Sequence, residues 1–190
     1  SKRLPALLDK GGEVTLSRNL IRAMSSMSRE SRNLLVGVAE YISKNLFFNA
    51  THPDSNIVLE NIPVPYDIVS QHHDPQHVKQ KLIELMDIRV SYAYHVPGQP
   101  ESQILTGIVS AISVKGGRYF VDIAPKAMPF LVYCGLGVGY GRVERNVFVQ
   151  LPQYQQLVYL ILCAPMNKEN PSISYSFKAA DIQSIYPMGS

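Results

Sequence analysis

Charge is scarce in this chain of 190 residues: 17% are Asp, Glu, Lys or Arg, against 46% apolar. A surface so poor in charge is either polar and uncharged or covered by a partner. Cysteine is scarcer still. Cys134 and Cys163 lie in apolar contexts and fit no metal-ligand spacing, so the expectation is buried, reduced thiols. Long apolar runs are missing, since Leu157 to Ala164 falls far short of the ~20 residues that span a bilayer. No basic-then-apolar signal segment opens the sequence, so the expectation is a soluble cytoplasmic protein without membrane contact. Internal repeats and low-complexity runs are absent.

Catalytic signatures are absent as well. There is no Gly-x-Ser-x-Gly elbow. The run Gly135-x-Gly137-x-Gly139-x-Gly141 lacks the Lys-Ser/Thr of a phosphate-binding loop and reads as a connection between elements. His73 and His77 stand four apart, but Asp74-Pro75 marks a helix boundary between them and nothing completes a ligand set. Together with His72 they read as solvent-exposed polar side chains. The expectation is therefore no metal, no cofactor and no enzymatic activity. A net charge of +3 permits nucleic-acid contact without demanding it.

What is present is a hairpin. Ile108, Ser110, Ile112 and Val114 alternate before Gly116-Gly117, and Tyr119, Val121 and Ile123 alternate after it. Both central residues of a type I′ turn need positive φ, which glycine adopts without steric penalty. Lys115 and Arg118 flank that turn and give it a cationic tip.

Helical spacing accounts for most of the remainder. Residues 1–14 read as a flexible arm. Ser17 is expected to cap a short helix carrying Leu20, Ile21 and Met24, and Ser25 to Met27 to end it. Ser28 caps a longer helix with Leu34, Leu35, Val38, Ile42 and Leu46 on its core face. After a polar loop over 49–56, 57–65 reads as an extended segment and 66–71 as one or two helical turns. Asp74-Pro75 is a strong start signal for a helix over 75–87. Its apolar stripe is Val78, Leu82, Leu85 and Met86, while Gln76, His77, Gln80 and Glu84 face outward, flanked by Lys79 and Lys81. Segment 88–96 turns β-like, and 97–102 is a loop before the hairpin. A helix is expected over 125–133, then a central helix over 153–163 apolar on most sides, a strand over 173–177 and a final helix over 178–186.

The order of elements predicts an α+β fold, a winged helix with one small antiparallel sheet and a β-hairpin wing, as a single domain over 15–187. On the 75–87 helix, Gln76, His77 and Gln80 are candidates for base edges. Lys79 and Lys81 are candidates for phosphates.

Several short motifs resemble the plasmid replication initiators, the iteron-binding Rep proteins built of two winged-helix domains. They are Leu16-Ser17-Arg18-Asn19-Leu20-Ile21, Met27-Ser28-Arg29-Glu30-Ser31-Arg32-Asn33-Leu34-Leu35, and the hairpin followed by Ala124-Pro125-Lys126-Ala127-Met128-Pro129-Phe130-Leu131. Tyr159-Leu160 within 155–162 is a fourth. The likeness runs from Val14 to Pro187, with 49–56 and 134–146 unmatched. It implies the family's first domain alone, with no second winged helix within these residues. That domain contacts phosphates of origin repeats in double-stranded DNA, forms a homodimer through its sheet, and acts with host replication proteins. Carried onto this chain, the phosphate contacts are Lys79, Lys81, Lys115 and Arg118. The alternatives are a winged-helix transcriptional regulator of a mobile element, or a dimeric scaffold domain without DNA contact.

Overall fold

Ser17 is both the last residue of a strand and the cap of a helix. Strand β1 (Glu13–Ser17) runs directly into α1 (Arg18–Met24), where the Ser17 hydroxyl accepts the Leu20 amide at 3.1 Å. The computed structural model describes residues 12–45, 59–65, 74–94, 98–131 and 140–163. The expected break follows α1: the Ser25 and Ser26 hydroxyls donate back to the carbonyls of Arg22 and Ala23. Helix α2 (Arg29–Asn45) starts at Ser28, whose hydroxyl accepts the Ser31 amide at 3.2 Å. It buries Leu34, Leu35, Val38 and Ile42, as their spacing predicts.

After β2 (Leu59–Pro63) comes α3 (Pro75–Asp87). The Asp74 carboxylate accepts the Gln76 amide at 2.9 Å, and proline at the first helical position loses no hydrogen bond. Val78, Leu82 and Leu85 are buried, and α3 packs against α2.

The β-structure is antiparallel as expected, but among the described residues it is divided among three small sheets instead of one, because β1–β7 and β3–β4 pair apart from the hairpin. Strands β3 (Arg89–Tyr94) and β4 (Ser102–Gly107) pair with each other, and β5 (Val109–Lys115) forms the expected hairpin with β6 (Arg118–Ile123). Gly116 and Gly117 have φ of 57° and 74°, as a type I′ turn requires. Strand β2 pairs with the far side of β6, so one sheet has the order β2-β6-β5. A short 3₁₀ turn (Pro125–Ala127) and α4 (Met128–Leu131) follow. Then come β7 (Tyr140–Glu144), which pairs with β1, α5 (Arg145–Phe148) and α6 (Gln153–Cys163). The architecture is thus α+β with small antiparallel sheets.

Five local expectations change. Residues 102–115 form an almost continuous extended run that switches partner at Ile108, whose carbonyl accepts the Ala124 amide at 2.9 Å. Its first half, β4, is a strand that lacks the alternation used to find the hairpin. A bulge between Val109 and Ala111 shifts the phase at the start of β5, so Val109 is buried; Val114 pairs with buried Tyr119 yet stays 54% exposed, one rung from the hairpin tip. Residues 13 and 14, expected in the arm, and 140 and 141, expected in a loop, pair in the β1–β7 sheet. The helix expected over 125–133 opens as a 3₁₀ turn before α4, and residues 132 and 133 lie outside the described residues. Finally, α6 is one-sided: Tyr154 is 70% exposed, Val158 47% and Leu162 51%. The loop 49–56, the turns 66–71, His72, His73, Cys134, the glycines at 135–139 and the elements over 173–186 lie outside the described residues.

Polar side chains of α2 hold the C-terminal part of the described fold. Arg29 donates to the carbonyls of Leu151 and Val149, each at 2.8 Å, and Glu40 pairs with Arg145. Fully buried Arg32 donates to Gln156 Oε1 and to the carbonyls of Met27 and Gln153.

Candidate nucleic-acid interface

The hairpin and α3 are in contact. Helix α3 packs on β5, and the Tyr119 hydroxyl donates to the Pro75 carbonyl at 2.8 Å. In the ladder Tyr119 faces Val114, one rung inside the terminal pair of Lys115 with Arg118. The rung next to the hairpin tip therefore reaches the first turn of the helix through the Tyr119 side chain. Tyr119 is buried and Pro75 exposed, so this bond is partly sheltered from water.

Gln76, His77, Lys79 and Gln80 are all exposed on α3, and Lys115 and Arg118 are exposed at the hairpin tip. Among the described residues, no hydrogen bond or ion pair engages the side chain of Lys79 or Arg118. Lys115 is braced instead. Its ammonium donates to Asn61 Oδ1 at 2.6 Å and lies 5.6 Å from the centre of the Phe120 ring. Asn61 occupies the irregular part of β2 with φ of 54°, a left-handed conformation that Asn tolerates better than most residues. The Asp122 carboxylate accepts its amide at 2.7 Å. A third strand thus steadies the cationic tip from the side.

Lys81 differs from the other candidates. It is half-buried and pairs at 3.2 Å with Glu84. Glu84, expected on the outward polar face, turns toward α2 and accepts the Ser28 amide there at 3.1 Å. Burial pushes the Glu84 carboxyl up, but the Ser28 amide, the Ser31 hydroxyl and Lys81 outweigh that and hold it below the usual carboxylate range.

This arrangement suits a polyanion. Unengaged cations on two elements are of the kind that can neutralise phosphates, and glutamine and histidine side chains can exchange hydrogen bonds with base edges. Sequence patterning missed Tyr119, Asn61 and Glu84. Each is an unremarkable strand or helix residue until its distant partner is known. Among the described residues no group of three or more His, Cys, Asp or Glu gathers where a metal ion could sit. No described helix is long and apolar enough to cross a membrane. Cys163 is a buried free thiol. A scan against protein-family models returns no match, and no curated protein is significantly similar to the chain.

Proposed function

We propose that this chain is the DNA-binding and dimerising domain of a plasmid-type replication initiator, a winged helix that binds origin repeats and acts with host replication proteins. The observation that carries this reading is the bond from Tyr119 to the Pro75 carbonyl. It ties a hairpin tipped by Lys115 and Arg118 to the helical turn bearing Gln76, His77, Lys79 and Gln80. The connectivity supports the winged-helix form: α2, β2, α3, then a hairpin whose second strand returns to pair with β2. The β3–β4 ribbon is an addition between helix and wing.

In this reading α3 approaches the major groove, about 12 Å wide in B-form DNA. Gln76, His77 and Gln80 meet base edges, and Lys79, Lys115 and Arg118 meet phosphates. Dimerisation uses the sheet. The β3–β4 ribbon packs on α1 and the 3₁₀ turn, yet has two strands among the described residues and carries Leu105 at 74% exposure, so its strand edges are open to pairing. The reading invokes no catalysis and no cofactor.

The test is electrophoretic mobility at two salt concentrations with duplexes carrying direct repeats, a promoter or random sequence. Preference for repeats, weakening as salt rises, is the expected result. Preference for the promoter indicates a transcriptional regulator. The exposed stripe of Tyr154, Val158 and Leu162 on α6 favours a scaffold as the rival from another class. Salt-independent retention, unchanged after Lys79, Lys81, Lys115 and Arg118 are all replaced by Glu, leaves the scaffold standing.

A further inference from the structure

We infer that Glu84 is a positioning residue that locks the DNA-facing helix α3 onto the start of α2, and that Lys81 belongs to this lock rather than to the phosphate-contacting set. The inference rests on the proposed function for its consequence but not for its geometry.

A helix start leaves backbone amides without partners. In a capping box, a Glu or Gln three residues past the cap reaches back to the amide of the capping residue. Helix α2 has Ser28 at the cap, but the residue three positions on is Ser31, too short to return. Glu84 supplies the missing carboxylate from another helix, fifty-six residues away. Its Oε1 accepts the Ser28 amide at 3.1 Å. Its Oε2 accepts the Ser28 hydroxyl at 3.1 Å, the Ser31 hydroxyl at 2.9 Å and the Lys81 ammonium at 3.2 Å. The Ser31 hydroxyl also lies 3.1 Å from the Lys81 carbonyl, so side chain and backbone of α3 converge on one turn of α2.

Charge favours the same arrangement. The positive end of the α2 dipole attracts the carboxylate, and Lys81, one turn back on α3, adds a second positive charge at Oε2. Pulling Lys81 out to a phosphate would leave Glu84 half-buried with one partner fewer. The Tyr119 bond fixes the beginning of α3, and Glu84 fixes it more than two turns later. Two anchors on different neighbours set both the tilt and the rotation of the helix, and rotation decides which side chains face the groove.

The test compares Lys79→Met, Lys81→Met and Glu84→Gln in the full chain. The probe is a random-sequence duplex of about three helical turns, with amide exchange at Ser28 as a second readout. Lys79→Met should lower the slope of log affinity against log salt by about one. Lys81→Met should leave that slope unchanged. Glu84→Gln should weaken binding several-fold at an unchanged slope and speed exchange of the Ser28 amide. A slope for Lys81→Met reduced as far as for Lys79→Met overturns the assignment of Lys81. Unchanged affinity and exchange in Glu84→Gln overturns the lock. A parent chain that binds no duplex at any salt defeats the proposed function instead, and the Ser28 exchange still decides whether the lock exists.

Discussion

Arg32 on α2 donates its Nε–H to Gln156 Oε1 on α6 at 2.9 Å, and both side chains are fully buried. The Gln156 amide nitrogen then donates to Asn33 Oδ1 at 2.7 Å and to the Phe148 carbonyl at 2.9 Å. A buried guanidinium is tolerable only when its donors are paired. This one bridges α2, the turn before it and α6.

Replacing Gln156 with Leu takes the acceptor from Arg32 Nε and a donor from Asn33 Oδ1, while the Phe148 carbonyl keeps the Leu151 amide at 3.1 Å. The expected loss is about 3–5 kcal/mol in urea denaturation. Adding Arg32→Met to Gln156→Leu should recover part of that loss, because two apolar side chains need no partners. A loss under about 1 kcal/mol in the single variant would mean that water satisfies the stranded groups.

Gly141 tests close packing without backbone strain. A Cβ there would lie 2.6 Å from the Cys163 carbonyl oxygen and 2.8 Å from Ile21 Cδ1. The first contact is backbone and cannot rotate away. Gly141→Ala should cost about 1–3 kcal/mol, read from the shift in chemical denaturation midpoint. A midpoint equal to that of the parent would show that β7 and α6 separate easily.

Gly116 tests the opposite case. A Cβ there meets nothing within 4 Å, so its cost is conformational alone. Gly116→Val should lose about 1–2 kcal/mol because φ is 57°, whereas Gly116→Asn should be nearly neutral. Equal losses in both variants would indicate that the hairpin tip touches something else.

Alkali should destabilise the protein through two neighbouring side chains. Burial pushes the Cys163 thiol up to about 11 from 9.0, and the Tyr159 phenol up to about 12 from 10.0. The fold prefers both groups protonated, so above pH 9 the unfolded chain has released protons that the folded chain retains. Stability is then complete below pH 9 and falls as pH rises through about 11 and 12. Thermal unfolding between pH 8 and 11 measures the slope, and Cys163→Ala should remove the lower-pH share of it.

The starts of three helices and one turn are legible from neighbours within a few positions. Ser17, Ser28 and Asp74 each satisfy an amide two or three residues ahead, and Gly116-Gly117 provides the two positive φ angles. Those interactions close inside a single turn of chain, so sequence order carries them almost completely. The apolar stripe of α3 is legible for the same reason: 3.6 residues per turn is a property of the local backbone.

Other features depend on which surfaces meet. Arg32 finds its acceptor 124 residues later, Glu84 its donor 56 residues earlier, and Tyr119 its carbonyl 44 residues earlier. Nothing in the flanking residues of either partner distinguishes it from an exposed neighbour. The same limit hid the pairing of β1 with β7, the bulge that brings Val109 into the core and the open side of α6. Hydropathy says that a side chain prefers burial, but not which other segment arrives to bury it. The rotation of α3, and so the set of side chains offered to a partner, follows from those distant contacts.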